Sequence, residues 1–286
     1  MIDTVRSLTA LRRAVGARRA AGKRLALVPT MGALHEGHLT LIDMARKHAD
    51  EVVVSLFVNP AQFAPGEDLD RYPRDEAADQ RKVHGRGASI LWAPAASDMY
   101  PQGFATSVRV AGPALGLETD HRPHFFTGVA TIVTKLLVQV LPDVAVFGEK
   151  DYQQLQVIRR LTADLNLPTE IIGGPTIREA DGLALSSRNA YLSTAERRIA
   201  PALRQALQMA GDRALAGDEP SSAEAAATRH VLDAGFQQVD YIAVRHAHSL
   251  APLQASDIAD GQPVRVLAAA HLGTTRLIDN LDPRAA

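Results

Sequence analysis

Apolar and polar positions along this chain follow two rhythms. RLALVP (24–29), EVVVSLFV (51–58), SILWAP (89–94), VAVF (144–147) and TEIIGG (169–174) are short apolar runs. Each is too brief for a helix and closes on polar or turn residues, so each reads as a strand. EVVVSLFV lacks any polar alternation until its serine, as expected for a strand buried on both faces of a parallel sheet. Between the strands the spacing changes to three and four. HLTLIDMARKHA (38–49) and YQQLQVIRRLTADLN (152–166) carry one apolar stripe each. Val129, Ile132, Val133, Leu136, Leu137 and Val140 fit the same helical period. EDLDRYPRDEAADQRKVH (67–84) is polar almost throughout and reads as a loop leading into a solvated helix. Near the start, Val5, Leu8, Leu11 and Val15 read as a first amphipathic helix with a basic face.

Strand and helix thus alternate, the βαβ rhythm of a doubly wound, Rossmann-like α/β domain with a parallel sheet. The character changes after GGPTIREADGLALSSRN (173–189). Two Ala-rich helices, Thr194–Leu215 and Ser222–Ala234, precede the strand-like VDYIAVRH (239–246) and VRVLAAAHLGTTRLIDN (264–280). The boundary falls near Thr176, giving an N-terminal Rossmann-like domain over 1–176 and a smaller α+β domain over 177–286.

Composition narrows the function classes. With 286 residues the chain is long enough for two domains with real cores. Hydrophobic residues at 46% and charged residues at 22% are those of a soluble globular protein. A formal net charge of -1 supplies no basic field for nucleic acid or an anionic membrane. The absence of cysteine excludes disulfides, thiolate metal sites and thiol nucleophiles, and fits a reducing cytoplasm. The Arg-rich N-terminus lacks the apolar core of a signal peptide, and no run suffices to span a bilayer.

Candidate chemistry collects where strands end, because ligands of open parallel sheets bind outside the carboxyl ends of the strands. PTMGALHEGH (29–38), NPAQF (59–63) and GEKDYQQ (148–154) follow three of the predicted strands. If those strands are parallel, the three segments meet at one edge of the sheet. His35 and His38 admit metal ligation, phosphate contact or a plain turn. A helical zinc pair needs spacing four, whereas these are three apart with Gly37 breaking the helix and no obvious third ligand. Phosphate fits better: Gly32 and Gly37 allow close backbone approach, and a helix starting at His38 offers free N–H groups. No Walker A motif is present, and GRGASI (85–90) lacks the last glycine of a dinucleotide fingerprint.

In LALSSRNAYLS (183–193), Ser186, Ser187 and Arg188 suit triphosphate oxygens, or form a polar turn before a helix capped by Ser193. Lys150 and Asp151 read either as a cation for phosphate beside a carboxylate for ribose, or as a capping charge and surface ion pair. Gln62 and Gln154 suit a small hydroxylated substrate or face solvent.

PTMGALHEGH, FVNPAQF, YPR, FGEKDYQQL and DGLALSSRNAYLS, in this order and closed by GTTRLIDN, resemble the pantothenate synthetase (pantoate–β-alanine ligase) family from about Leu25 to Asn280. That family is similar in turn to the His-x-Gly-His nucleotidyl-transfer superfamily, which includes class I aminoacyl-tRNA synthetases. The resemblance implies condensation of pantoate with β-alanine, driven by ATP with Mg²⁺, through pantoyl adenylate and with release of AMP and pyrophosphate. It implies ATP contacts at Met31, Gly32, Ala33, Leu34, His35, Glu36, Gly37 and His38, at Gly148, Glu149, Lys150 and Asp151, and at Ile177, Leu185, Ser186, Ser187 and Arg188. His38, His35, Lys150 and Arg188 would be the catalytic set. Gln62 and Gln154 would hold pantoate, and Gln62 also β-alanine. A homodimer through the N-terminal domain is a further implication. Water must be kept from the adenylate, which makes the smaller domain with its Ser-Ser-Arg loop the expected lid. The metal ligands, and the base for the amine step, stay open.

One segment departs from the family pattern. RPHFFTGV (122–129) has Phe125 where the family carries histidine, with His124 one place earlier. Thr119 replaces the glycine usual after Leu117-Glu118. Three other readings stand beside the ligase: an adenylyl transferase that leaves AMP in its product, a tRNA-binding protein, and a silent nucleotide-binding module. NPAQF and GEKDYQQL argue against the first, the short near-neutral chain against the second, and intact His38, Lys150 and Arg188 against the third.

Overall fold

The computed structural model describes residues 2–64, 66, 67 and 69–285, which form two compact units. The first comprises Met1–Val110, Arg122–Glu149 and Val157–Pro175; the second comprises Ala111–His121, Lys150–Gln156 and Thr176–Ala286. Residues 111–121 and 150–156, which the sequence reading places in the first domain, therefore belong with the second unit.

In the first unit the strands are β1 (Asp3–Val5), β2 (Leu25–Thr30), β3 (Glu51–Leu56), β4 (Ile90–Trp92), β5 (Val144–Gly148) and β6 (Glu170–Gly174). Among the described residues they form one parallel sheet in the order β1-β4-β3-β2-β5-β6. Its helices are α1 (Leu8–Ala20), α2 (Glu36–His48), α3 (Glu76–Gly85), the short α4 (Ala96–Met99) and α6 (Phe125–Val140), the last preceded in the chain by α5 (Glu118–His121) of the second unit. α7 (Tyr152–Asp164) has its first turn in the second unit and the remainder in the first.

Both faces of this sheet are covered, which explains the unbroken apolar runs. Ala26, Val28, Val52, Val54, Val144 and Val146 share a core with Leu39, Ile42 and Ala45 of α2. The alternate residues Leu25, Leu27, Val53 and Ala145 are equally buried and point to the opposite face. Val5 corrects an expectation: it lies in β1 and not in the first helix, since Ser7 caps α1 by accepting from the Ala10 N–H at 3.2 Å.

Strand order reverses between β2 and β5, so the switch point of the sheet lies there. Thr30 pairs with Leu56, so β2 and β3 end level. Leu27 pairs with Ala145, and carrying that register onward sets Gly148 beside Thr30. The segments after β2, β3 and β5 leave from one edge, as the parallel reading requires.

The second unit holds an antiparallel sheet, β7 (Gln238–His246), β8 (Val264–Leu272) and β9 (Thr275–Leu281), in that order. VRVLAAAHLGTTRLIDN is thus two strands joined by a hairpin at Gly273 and Thr274. Helices α8 (Thr194–Ile199), α9 (Ala202–Leu215), α10 (Pro220–Ala234) and α11 (Ala255–Ala259) complete the unit. The single helix expected over Thr194–Leu215 is broken before Pro201, whose ring and missing N–H cannot continue the helical ladder. Alanines at fourth positions, Ala202, Ala206, Ala210 and Ala214 on α9 and Ala223 and Ala227 on α10, are buried and bring the helices close to each other and to the sheet.

Candidate active site

β2 ends at Thr30, whose hydroxyl donates to the Ser55 carbonyl of β3 at 2.7 Å. The backbone then turns left-handed at Gly32 (φ 90°) and Ala33 (φ 51°). A Cβ at Gly32 would lie 3.1 Å from Asp79 Oδ2 as well as straining the backbone. The turn is held from α3: Asp79 accepts from the Ala33 N–H at 2.9 Å and from the Leu34 N–H at 2.8 Å. Lys82 Nζ donates to the Leu34 carbonyl at 2.6 Å. Asp79 is only 3% exposed, so both oxygens belong to this clamp rather than to solvent. Two amides of the expected nucleotide loop are therefore engaged inside the protein.

α2 begins at Glu36, two residues earlier than the sequence suggests, with His35 as its N-cap and His38 at the third helical position. Gly37 does not break the helix: glycine keeps its N–H, and its extra backbone freedom costs at most about 1 kcal/mol against alanine, which the buried apolar face of α2 outweighs. The Glu36 and Gly37 amides stand in the first turn, at the positive end of the helix dipole, where N–H groups have no intrahelical acceptor. The imidazoles lie 4.1 Å apart between centroids. The His35 N–H donates to His38 Nδ1 at 3.4 Å, which leaves the proton of a neutral His38 ring on Nε2, as a donor. Among the described residues no group of three or more His, Cys, Asp or Glu side chains is placed to hold a metal ion.

After β3, Asn59 caps the short turn Pro60–Gln62, and its side chain accepts from the Ala61 N–H at 3.3 Å. Asn59 Nδ2 donates to Gln62 Oε1 at 3.0 Å and to the Gly128 carbonyl at 3.2 Å. The Tyr100 hydroxyl donates to Asn59 Oδ1 at 2.6 Å. Gln62 Nε2 reaches Met31 Sδ at 3.2 Å, so the loops after β2 and β3 meet at these two side chains. α6 touches the turn through Gly128, where a Cβ would sit 2.2 Å from the Ala61 carbonyl oxygen. Arg122 donates to the Gln62 carbonyl at 3.0 Å and to Glu67 at 2.7 and 2.5 Å, with its guanidinium 4.0 Å over the Phe125 ring. His124 is exposed at the start of α6, and Phe125 packs on Arg122 and Phe126.

In the second unit, Lys150 and Asp151 are half-buried, and among the described residues neither has an ion pair. The Lys150 carbonyl accepts from Asn280 Nδ2 at 2.9 Å. Asn280 Oδ1 accepts from Arg265 Nε at 2.7 Å, and that guanidinium lies 4.0 Å over the Tyr152 ring. A narrow hairpin, with Leu185 N–H donating to the Ile177 carbonyl at 2.9 Å, leads to Ser186, Ser187 and Arg188. Its base is fixed by Arg178, which grips Asp279 with bonds of 2.7 and 2.9 Å. Adjacent residues of β9 thus anchor the Lys150 backbone and the Ser-Ser-Arg hairpin, which gives the closing GTTRLIDN motif a physical role. Ser186 Oγ accepts from the Arg188 N–H at 3.2 Å, shaping the turn. Gln154 is half-buried with no side-chain hydrogen bond among the described residues. Gln153 beside it locks residues 113–118, accepting from the Glu118 N–H at 3.1 Å and donating to the carbonyls of Pro113 and Gly116 at 3.0 and 3.2 Å.

Sequence reasoning misses Asp79, Asn59, Tyr100, Asp279 and Asn280 as supporting residues. For Asp79 a signal exists: it stands four before Val83, the one large apolar residue of its helix, and hence on the inward face.

The sequence profile of pantoate-beta-alanine ligases matches residues 3–282. Pantothenate synthetase of Rhodopseudomonas palustris strain HaA2 is 53% identical over 277 residues, covering 96% of either chain. That of Mesorhizobium japonicum is 54% identical over 280 residues, 98% of this chain and 97% of the relative. The crystal structure of pantothenate synthetase from Thermus thermophilus superposes with a TM-score of 0.89 at 44% identity, covering 99% of each chain. Pantoate-beta-alanine ligase from Francisella tularensis, solved with beta-gamma ATP and beta-alanine, gives 0.82 at 31% identity, covering 100% of this chain and 99% of that one. A histidine turn at the sheet's switch point, a second glutamine-bearing turn beside it and a full-length match lead to one assignment: the chain belongs to the pantoate–β-alanine ligase family.

Proposed function

We infer that the chain carries out its family's reaction, the ATP-dependent condensation of pantoate with β-alanine to pantothenate. The observation that carries this is the full-length family match in a chain whose His35–His38 turn sits at the switch point of the sheet. In the first half, a pantoate carboxylate oxygen bonds to the α-phosphorus and pyrophosphate leaves, forming pantoyl adenylate. In the second, the β-alanine amine bonds to the acyl carbon, its proton passes to a base, and AMP leaves.

The residue roles are proposals. His38 Nε2–H and the Glu36 and Gly37 amides are donors for phosphoryl oxygens on which charge accumulates, with His35 supporting them. Lys150, Ser186, Ser187 and Arg188 are assigned to the triphosphate, Asp151 to ribose hydroxyls, and Gly148, Glu149, Ile177 and Leu185 to the nucleotide. Met31, Gly32, Ala33 and Leu34 complete the set, the last two through atoms other than their clamped N–H groups. Gln62 and Gln154 are assigned to pantoate, and Gln62 to the β-alanine carboxylate. These donors suit anionic oxygens rather than a cation. Mg²⁺ would therefore arrive on the triphosphate, held by its oxygens and water, and neutralise the departing pyrophosphate.

We also propose a homodimer formed through the first domain, where Val138, Leu141 and Leu165 are exposed apolar residues, and a cytoplasmic location. Among the described residues, no helix is long and apolar enough to cross a membrane. Sedimentation at working concentration tests the dimer.

The reaction is tested by mass-resolved incubation with Mg-ATP and pantoate, with and without β-alanine. AMP, pyrophosphate and pantothenate together, only in the complete mixture, are expected. AMP retained in a product would make the chain an adenylyl transferase, and no ATP consumption by folded protein would make it a silent nucleotide-binding module. His38→Ala is expected to slow pyrophosphate release by about 10²–10³-fold, the usual loss for one donor to a developing oxyanion; a near-parental rate would remove His38 from the catalytic set.

A further inference from the structure

Backbone groups cannot exchange donor and acceptor roles, and two of them fix the polarity of a side-chain relay in the first unit. The Ala61 N–H donates to Asn59 Oδ1 at 3.3 Å, and the Gly128 carbonyl accepts from Asn59 Nδ2 at 3.2 Å. The buried Asn59 amide therefore has one orientation. The Tyr100 hydroxyl, 2.6 Å from Oδ1, must donate. The second Nδ2 proton goes to Gln62 Oε1 at 3.0 Å. With its oxygen turned to Asn59, Gln62 presents Nε2 to the Met31 sulfur at 3.2 Å, a weak acceptor.

We propose that Tyr100 is a positioning residue for the ligase reaction: acting through Asn59, it holds Gln62 as an N–H donor toward an oxygen of the acid substrate, which replaces the Met31 sulfur as acceptor. This rests on the assignment of Gln62 to substrate given above. It also sets a selection rule. A carboxylate or hydroxyl oxygen satisfies Gln62 Nε2, whereas an ammonium does not, so β-alanine meets this side chain through its carboxylate and not its amine.

Tyr100 is built to stay in place. Its ring packs against Phe57 and Phe104 with centroids 6.3 and 5.1 Å away, and Lys135 Nζ lies 4.5 Å over Phe104. Burial pushes the Tyr100 phenol up to about 12, so it remains a donor over the whole working range of pH. Tyr100 acts here as an orienter and not as a proton shuttle.

The test is steady-state kinetics on the full chain, with pantoate, β-alanine and Mg-ATP varied in turn, for the parent, Tyr100→Phe, Gln62→Ala and the double variant. Tyr100→Phe is expected to raise KM for pantoate about fivefold, equivalent to ~1 kcal/mol, with KM for ATP and the limbs of the pH profile unmoved. In the Gln62→Ala background the same change adds nothing. If Gln62→Ala raises KM for pantoate but Tyr100→Phe does not, or multiplies it equally in both backgrounds, the relay is wrong and the site assignment stands. If Gln62→Ala leaves KM for pantoate unchanged, both fall. Gln62→Glu gives a check that does not depend on Tyr100→Phe folding. Its carboxylate still accepts from Asn59 but has no proton to offer, so pantoate binding weakens at least as much as in Gln62→Ala. Parental binding by Gln62→Glu would overturn the donor role.

Discussion

Asp79 shows how one buried carboxylate shapes a loop that has no regular structure of its own. It accepts two backbone N–H groups where the chain turns left-handed, at distances of 2.9 and 2.8 Å. Asp79→Asn keeps the volume but turns a donor toward at least one of those amides. Because hydrogen bonds to a charged group contribute about 1.5–3 kcal/mol, the variant is expected to lose roughly 2 kcal/mol of unfolding free energy in urea titrations. Pyrophosphate release should also slow, because His35 follows the clamped loop directly. Parental stability and rate in Asp79→Asn would show that the clamp is dispensable. The contrast with His35, His38 and Gln62 explains what can be read at this scale. Those residues announce themselves by type and by their place after a strand. Asp79 is one charge among many in EDLDRYPRDEAADQRKVH, and only the tertiary neighbour it binds gives it a task. Asn59 and Tyr100 are hidden for the same reason.

At the scale of elements, α6 and the turn Pro60–Gln62 are in backbone contact at Gly128. Two effects of Gly128→Ala oppose each other. Alanine favours the helix by about 1 kcal/mol over glycine, but the new Cβ would lie 2.2 Å from the Ala61 carbonyl oxygen, which is backbone and cannot swing aside. Overpacking typically costs about 1–3 kcal/mol, so the net expectation is a less stable protein with a displaced turn. KM for pantoate should rise more than KM for ATP, since Gln62 sits on that turn; an equal rise in both would contradict the placement. The elements themselves are largely legible. Short, β-branched apolar runs such as EVVVSLFV read as strands covered on both sides, and Val52, Val53 and Val54 are all buried. Legibility fails where the pattern is short or ambiguous. β1 has three residues, too few to show period two, so Val5 merges with the helical spacing that follows. Gly37 reads as a break, but a single glycine costs a helix only about 1 kcal/mol of backbone freedom, and the packing of Leu39, Ile42 and Ala45 outweighs it.

The whole chain is less simply divided than its composition suggests, and the second unit makes this testable. The compositional change near Thr176 marks where its longest segment starts, but residues 111–121 and 150–156 supply parts of the same body. Leu117 and Tyr152 share a core cluster with Ala243, Leu250 and Leu267. Glu118 forms two bonds of 2.9 and 2.8 Å to Arg276, whose Nε reaches Asp240 at 2.7 Å. A fragment of residues 177–286 therefore lacks one wall of that core and a carboxylate partner of a largely buried arginine. It is expected to unfold with a shallower, less cooperative urea transition than the second unit shows within the full chain; an equally steep transition would establish an independent domain over those residues. Acid tests the same cluster without cutting the chain. Burial alone would raise the Asp240 carboxyl, but the hydrogen bond and charge of Arg276, with help from Gln238 and His271, outweigh it and hold the group below its ordinary value. A carboxyl depressed on folding adds stability above its unfolded value, about 3.9, and that contribution disappears as pH falls through the folded value. Asp240→Asn should thus be less stable than the parent at neutral pH, and the gap should narrow below about pH 4. Urea titrations between neutral and acid pH read both arms, and a gap that stays constant would mean that Asp240 contributes packing rather than charge.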